Sequence, residues 1–218
     1  QSEKLWHLSN VYQIPEQELL ASRLCDLCFA DYAFFCNSGT EAVEASIKIA
    51  RRFFHKTKNS KTKNEIISFS GSFHGRTIGA LAAQGPEKMN SFNTNVNDFK
   101  FLEFGDHELL KSSISENTAA VLIEPVQGEG GVREVPTFCL DAIRKLCDEN
   151  DALLIFDEVQ CGMGRTGKMF AYQWSNIEPD IMTIAKAIGN GFPIGACLTS
   201  KKVGDAMDYG SHGPTFGG

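Results

Sequence analysis

Long apolar runs are missing from this sequence. The longest, such as Ala152 to Phe156, have the length of a buried strand, whereas a helix that spans a bilayer needs about 20 apolar residues. The start of the chain also lacks the charged segment followed by an apolar one that would indicate a secretory signal. We therefore expect a soluble protein with no membrane partner.

Positive charge is also scarce. The 21 lysines and arginines are outnumbered by 27 aspartates and glutamates, which leaves a net charge of −6 and a pI near 5.4. Such a chain repels phosphate backbones, so we expect no nucleic-acid partner. The basic stretch from Lys56 to Asn64 has no interleaved aromatic residues and is interpreted as a solvated loop.

The cysteines and histidines show no ligand pattern. The seven cysteines are an odd number and lie mostly inside apolar patterns, which is typical of a reduced, cytoplasmic protein without a disulfide framework. Cys25 and Cys28 have no second Cys or His pair nearby, and the five histidines show no metal-ligand spacing, so we expect no metal. The hydrolase pattern G-x-S-x-G and the dinucleotide pattern G-x-G-x-x-G are absent too, which removes the usual support for those functions.

The residues that are present predict a globular α/β domain. Of the 218 residues, 42% are hydrophobic and 22% are charged, which is enough to build a packed core. Stretches with helical period follow Ser38 and span Thr137 to Asn150. Five apolar runs predict strands that are buried on both faces: Glu65 to Phe69, Ala119 to Ile123, Ala152 to Phe156, Ile181 to Ala185 and Ala196 to Thr199. This alternation predicts a mostly parallel central sheet with helices on both faces.

Polar residues follow three of the predicted strands directly. Glu124 begins the segment EPVQGEGG, Asp157 and Gln160 follow the strand at 152–156, and Lys186 precedes a glycine-rich turn. Ligands of such sheets bind outside the carboxyl ends of the strands. We therefore expect these side chains at one rim of the sheet.

Lys186 and Asp157 are the strongest candidates for chemistry at this rim. An amine that follows an apolar strand is partly desolvated, which favours its condensation with a carbonyl group. A carboxylate buried at Asp157 requires a cationic partner. That partner is either a basic residue of the chain, including Lys186 itself in a structural ion pair, or the protonated pyridine nitrogen of a ligand.

A second group of candidates suits a planar, anionic ligand. Ser38 and Glu41 have the spacing of a capping box, and the turn at Gly39 and Thr40 offers N–H groups and a hydroxyl to a phosphate. Helix capping alone accounts for the same pattern. Phe73 either packs in the core or stacks on the planar group.

Six strings together resemble the class III aminotransferases, which are pyridoxal-phosphate (PLP) dependent enzymes of fold type I. The resemblance covers essentially the whole chain and is strongest to the acetylornithine aminotransferases. The resemblance rests on the occurrence of all six strings in the order in which the family has them. They are KLWHLSN (4–10), FCNSGTEA (35–42), GSFHGRT (71–77), EPVQGEGG (124–131), FDEVQ (156–160) and AKA (185–187).

The resemblance implies a role for each of these residues. Lys186 resembles the Schiff-base lysine and Asp157 the partner of the pyridine nitrogen, and these two are the implied catalytic residues. Gln160 would lie beside the phenolic oxygen of the cofactor, and Glu129 beside an arginine that binds the substrate carboxylate. The other implied cofactor contacts are those of Ser38, Gly39 and Thr40 with the phosphate, Phe73 and His74 with the ring, and Thr215 with the phosphate of a partner subunit, which implies a homodimer.

The resemblance also implies an activity and a domain organisation. The enzyme would move the terminal amino group of N-acetylornithine or N-succinyl-diaminopimelate to 2-oxoglutarate by a ping-pong mechanism, in the cytoplasm, as part of arginine biosynthesis. Residues 1–218 would be an excised piece, the PLP-binding large domain, without an N-terminal segment and a small C-terminal domain. The alternatives are an ornithine aminotransferase, a glutamate-semialdehyde aminomutase and a non-catalytic structural domain.

Overall fold

The framework of the protein is a seven-stranded sheet, seen in a computed structural model that describes residues 3–218. Strands β1 to β9, in chain order, are Tyr32–Cys36, Glu65–Phe69, Phe99–Leu102, Thr118–Ile123, Val126–Gln127, Arg133–Glu134, Leu153–Asp157, Ile181–Ile184 and Gly195–Thr199. Helices α1 to α7 are Pro15–Asp26, Gly39–Lys58, Ile78–Ala82, Pro86–Asn90, His107–Ser113, Thr137–Glu149 and Lys201–Gly204. Strands β5 and β6 form a separate antiparallel ribbon.

The main sheet is mostly parallel, which confirms the predicted fold class. Its strand order is β1-β9-β8-β7-β4-β2-β3, and the contiguous strands from β8 to β3 all pair in parallel. Strand β9 is antiparallel to both of its neighbours, β1 and β8. The carboxyl ends of β1, β2, β4, β7 and β8 therefore lie at one rim of the sheet, and β9 begins there.

Helices cover both faces of the sheet because its central strands are apolar on both sides. In β7, Ile155 packs in a cluster with α2 on one face, while Leu154 packs in a cluster with α6 on the other. Burial of each such side chain contributes roughly 1.5–3 kcal/mol to folding. Within residues 3–218, no helix has both the length and the apolarity needed to cross a membrane.

The five strands predicted from apolar runs are all present, with bounds that differ by no more than one residue at either end. The same patterns did not predict β1 and β3, which are the two edges of the sheet. Tyr32 in β1 is exposed, and residues 99–101 in β3 are only half-buried. Edge strands have an open side and lack the continuous apolar runs of central strands, so the patterns missed them.

Candidate active site

An open cavity of about 430 Å³ lies at the carboxyl rim of the sheet. Its wall is built by residues that follow β1, β2, β7 and β8 and by the segment that precedes β9. The predicted site residues that line it are Ser38, Gly39, Thr40, Phe73, His74, Asp157 and Lys186. The parallel strands thus bring together residues that are far apart in the sequence.

Part of the cavity wall was not predicted. The segment 192–194 lines the cavity because the antiparallel strand β9 starts, rather than ends, at this rim. Because this segment precedes a strand, the pattern of polar residues after strands does not indicate it. Val159 also lines the cavity and was overlooked between the polar residues Asp157 and Gln160.

The loop after β2 places an aromatic ring and a guanidinium on the wall. Phe73 is half-buried and belongs to none of the hydrophobic clusters of the described residues. Cζ of the exposed Arg76 lies 5.3 Å from the centre of the Phe73 ring. Arg76 belongs to the string GSFHGRT, but no role was predicted for it from the sequence. A positive charge three residues after the candidate stacking residue Phe73 is the sequence feature that could have indicated one.

Asp157 is buried at the end of β7 with a carboxylate that is held by hydrogen bonds. Its Oδ1 accepts the N–H of Val159 and the hydroxyl of Thr183, both at 3.0 Å. Its Oδ2 lies 2.7 Å from Nδ1 of His74, whose side chain is fully buried. Because a carboxylate only accepts, Nδ1 of His74 must carry the proton. A carboxylate has about four acceptor positions, so one remains for a donor from the cavity.

Lys186 follows β8 in a strained backbone conformation. Its φ is +49°, in the left-handed region, which costs a residue other than glycine roughly 1–2 kcal/mol. Such strain concentrates at functional sites. Its side chain is exposed on the cavity wall and makes no hydrogen bond or salt bridge with residues 3–218. The structural ion pair with Asp157 is therefore wrong, since Asp157 pairs with His74.

The N-terminus of α2 opens on the cavity. Oγ of Ser38 caps the helix by accepting the N–H of Glu41 at 3.4 Å. The carboxylate of Glu41 does not return to the N–H of Ser38, as in a complete capping box, but accepts the N–H of Asn37 at 2.6 Å. The N–H groups of Gly39 and Thr40 have no acceptor in the described part of the chain. Together with the helix dipole, they suit an anion.

Gly75 allows the loop after β2 to approach the start of α2. Its φ is +127°, and a Cβ at this position would lie 2.1 Å from Oγ1 of Thr40. Oγ1 of Thr77 lies 3.1 Å from the same Thr40 oxygen and donates to Glu44 at 2.5 Å. The loop that carries Phe73 is thereby joined to the helix end that suits an anion.

We expect Gly75→Ala to destabilise the full-length protein by about 3 kcal/mol, because it adds both backbone strain and a collision with Thr40. Gly105→Ala is the matched control, since Gly105 also has a positive φ, +91°, but a Cβ there has no neighbour within 4 Å. That variant should lose only about 1 kcal/mol. Urea unfolding monitored by circular dichroism measures both. Equal losses would contradict the close approach at Gly75.

Three predicted site residues do not line the cavity. Gln160 is half-buried, and its Nε2 donates to Oε1 of Glu124 at 3.3 Å. Glu129 is exposed in the turn that joins β5 to β6. Thr215 is exposed on the segment near the last described residue. The roles implied for these three residues stay predictions.

The segment that carries Thr215 is fixed to β1 and exposes aromatic rings. Gly218 donates its N–H to the carbonyl of Phe35 at 3.0 Å. Phe216 is 69% exposed and packs edge-on against His7, with 4.8 Å between the ring centres. Trp6, next to His7 in the sequence, is 87% exposed. Exposed aromatic residues at one place are typical of an interaction surface.

Two glutamates beside the site are buried, and the pKa of each side chain is raised. Glu124 follows β4 and Glu158 follows Asp157, and each is 1% exposed. Burial raises the pKa of each side chain from 4.5 to about 7, and the negative charge of Asp157 adds to both shifts. Because each pKa is above its unfolded value, the stability that these groups contribute is present below pH 4.5 and is lost as the pH rises through 7.

Comparison with known proteins identifies the family. All of residues 1–218 match the family model described as aminotransferase class-III. Acetylornithine aminotransferase 2 of Caulobacter vibrioides is 54% identical over 221 residues, covering 100% of this chain and 54% of the relative. Acetylornithine aminotransferase of Methanocaldococcus jannaschii is 49% identical over 219 residues, covering 100% of this chain and 55% of the relative. The chain thus spans about half the length of the curated relatives it matches.

Solved structures have the same fold. N-acetylornithine aminotransferase from Stenotrophomonas maltophilia superimposes with a TM-score of 0.81 at 40% identity, covering 95% of this chain and 52% of that one. Ornithine aminotransferase from Toxoplasma gondii superimposes with a TM-score of 0.93 at 30% identity, covering 99% and 52%. The predicted fold type I architecture is confirmed. The chain belongs to the class III aminotransferase family.

Proposed function

We propose that residues 1–218 form the PLP-binding large domain of an aminotransferase that moves the terminal amino group of N-acetylornithine to 2-oxoglutarate. The observation that carries the proposal is that the Lys186 amine, without a partner in residues 3–218, and the buried Asp157 carboxylate share one cavity. The relatives named acetylornithine aminotransferase support this substrate. N-succinyl-diaminopimelate, another acylated diamino acid, suits the same type of pocket. An N-terminal segment and a small C-terminal domain would complete the enzyme.

The residues of the cavity fit PLP, the cofactor on which this family and its homologues depend. The capped end of α2 offers two N–H groups without acceptors, together with the hydroxyls of Ser38 and Thr40, to a phosphate. Phe73 offers a half-buried ring to a planar group. Asp157 has one acceptor position left for a protonated ring nitrogen. When bound, PLP supplies an aldehyde that bonds to amines and a ring that stabilises negative charge on the neighbouring carbon.

Lys186 is proposed to hold the cofactor and to transfer protons. Its Nζ is the amine that would hold the cofactor in the resting enzyme and would be freed when a substrate amine binds. The freed Nζ would then take the proton from the amine-bearing carbon of the substrate and pass it to the aldehyde-derived carbon of the cofactor. Its exposed position on the cavity wall gives the amine access to both places.

Asp157 and His74 are proposed to keep the ring nitrogen protonated. Both carboxylate oxygens of Asp157 are already held by protein donors, so the negative charge needs no reorganisation when the reaction begins. The His74 side chain is fully buried, with its Nδ1 2.7 Å from Oδ2 of Asp157. Its Nε2 is buried and has no hydrogen-bond partner among the described residues.

Substrate carboxylates are proposed to meet basic residues at the mouth of the cavity. Arg76 is exposed on the wall, and a guanidinium binds carboxylates through paired hydrogen bonds. Glu129 would lie beside a second arginine that the rest of the subunit supplies. Gln160 would donate an N–H to the phenolic oxygen of the cofactor.

The enzyme is proposed to be a cytoplasmic homodimer that acts in arginine biosynthesis. The exposed Thr215, on a segment with the exposed Phe216, suits a contact with the phosphate bound by a second copy. All seven cysteines are free thiols, which is typical of a reducing compartment. Nucleic acid and membranes are not proposed as partners.

Borohydride reduction of the PLP-loaded full-length protein tests the site. The reduction fixes the bond between the cofactor and its lysine, and mass mapping of the peptides then identifies that lysine. We expect the peptide that contains Lys186. A label on any other lysine would contradict the assignment.

Product analysis tests the reaction. Purified enzyme should convert N-acetylornithine to an aldehyde only when 2-oxoglutarate is present as the amine acceptor. Parallel assays with N-succinyl-diaminopimelate and ornithine rank the donors. Isomerisation of glutamate semialdehyde without any acceptor would instead indicate an aminomutase, since that reaction shifts an amine within one molecule.

A further inference from the structure

Glu124 connects the two loops that face the ring site. It follows β4, and its Oε2 accepts the N–H of Phe73 at 3.0 Å. Its Oε1 accepts Nε2 of Gln160 at 3.3 Å. Phe73 belongs to the loop after β2, whereas Gln160 belongs to the loop after β7. One buried carboxylate thus binds groups from two separate parts of the rim.

The charge of Glu124 determines which way the Gln160 amide points. An ionised carboxylate only accepts hydrogen bonds, so Gln160 must turn its Nε2, and not its Oε1, toward Glu124. On its other side, Gln160 meets Gly128, where a Cβ would lie 2.6 Å from Oε1. The Gln160 amide therefore lies between the Glu124 carboxylate and the Gly128 backbone. Glu124 sets the orientation of the amide, and Gly128 limits its position.

The surroundings of Glu124 make its proton labile near neutral pH. Ile123 and Phe156 are paired in the parallel strands β4 and β7, so Glu124 and Asp157 follow them side by side. The pKa of Glu124 is raised from 4.5 to about 7, first by burial and then by the negative charge of Asp157, and this is the net result after His74 and the N–H groups of Phe73 and Gly128 have opposed the shift. A protonated Glu124 would donate from one oxygen and so lose its hydrogen bond from either the Phe73 N–H or Nε2 of Gln160.

We propose that Glu124 is a positioning residue that holds the Phe73 loop and the Gln160 amide in register around the cofactor ring, and that it does so only while ionised. The inference rests on the proposed function, because both partners matter for chemistry only if the cavity holds PLP. Glu124 itself lines no part of the cavity and acts through these two groups.

The test compares Glu124→Gln with Glu158→Gln in the full-length protein. Glu158 is a matched control because it is equally buried, has a similarly raised pKa and accepts two backbone N–H groups, those of Ala171 and Tyr172. The two readouts are the Kd for PLP and the pH midpoint of the visible absorbance change of the PLP-loaded protein. Neither readout follows from stability alone.

We expect Glu124→Gln to weaken PLP binding roughly tenfold and to move the absorbance midpoint by at least about half a pH unit. The new glutamine keeps its oxygen on the Phe73 N–H and turns its N–H₂ toward Gln160. Gln160 must then rotate its amide so that its own oxygen faces that donor. Glu158→Gln should leave the midpoint at the wild-type value. Identical midpoints in wild type, Glu124→Gln and Glu158→Gln would overturn the inference.

Gly128→Ala provides an independent test should Glu124→Gln fold poorly. It leaves Glu124 intact and displaces Gln160 from the opposite side, so we expect it to move the midpoint as well. An unchanged midpoint would overturn the inference. Wild-type protein that gives no visible absorbance with PLP would refute the proposed function, whereas an absorbing wild type with unresponsive variants would refute the role of Glu124 alone.

Discussion

Lys186→Ala in the full-length protein is expected to eliminate the visible absorbance of the lysine-linked cofactor and to lower kcat by at least about 10⁴-fold. The variant loses the amine that is proposed to bond to the cofactor and to carry protons, and residues 3–218 place no other lysine on the cavity wall. Absorbance spectra with added PLP and steady-state kinetics measure the two effects. Wild-type absorbance in this variant would refute the assignment.

Two further variants separate chemistry from folding. Lys186→Gly removes the same amine but relieves the positive φ, so it should be more stable than Lys186→Ala by roughly 1 kcal/mol while equally inactive. Lys145→Ala removes a lysine that is 70% exposed and paired with Asp141 on α6. Surface pairs contribute about 0–1 kcal/mol, so absorbance and turnover should match wild type.

Asp157→Asn is expected to have the next largest effect, a fall in kcat of about 10²–10³-fold. The substitution removes the negative charge that would hold the protonated ring nitrogen. Both carboxylate oxygens of Asp157 accept hydrogen bonds, one from His74 and the other from Val159 and Thr183. The amide N–H₂ of asparagine would therefore face a donor whichever way it turned. We expect a stability loss of about 1–3 kcal/mol from this mismatch.

Asp180→Asn controls for that stability loss. Asp180 Oδ2 accepts the N–H of Leu154 and pairs with Arg144, each at 2.8 Å. Asp180 precedes β8 and therefore lies at the end of the sheet opposite Lys186. The control should be destabilised to a similar degree with wild-type kcat. If Asp157→Asn also kept wild-type kcat, the carboxylate would have no part in the reaction.

The central strands and several site residues could be predicted from local patterns. Strands such as Leu153–Asp157 are buried on both faces, and only a continuous apolar run satisfies that environment. Asp157 and Lys186 were predicted because a polar residue directly after such a run has few structural explanations. The family resemblance assigned roles to these residues that composition and periodicity do not contain.

The pairing of residues across the rim was decided by the tertiary structure. His74 meets Asp157, and Glu124 meets Gln160, because the order and register of β2, β4 and β7 bring their ends side by side. A local pattern carries no information about strand order. The same holds for segment 192–194, which reaches the cavity only because β9 is antiparallel.

The sequence by itself determined which segments are buried and which chemical groups stand at their ends, since burial and turn formation depend on neighbouring residues. The tertiary structure alone decided which of those groups meet. It paired Asp157 with His74 rather than with Lys186 and left the lysine amine open to the cavity. The physical reason is that partners in a buried network are chosen by the packing of distant strands, whose register depends on the whole core.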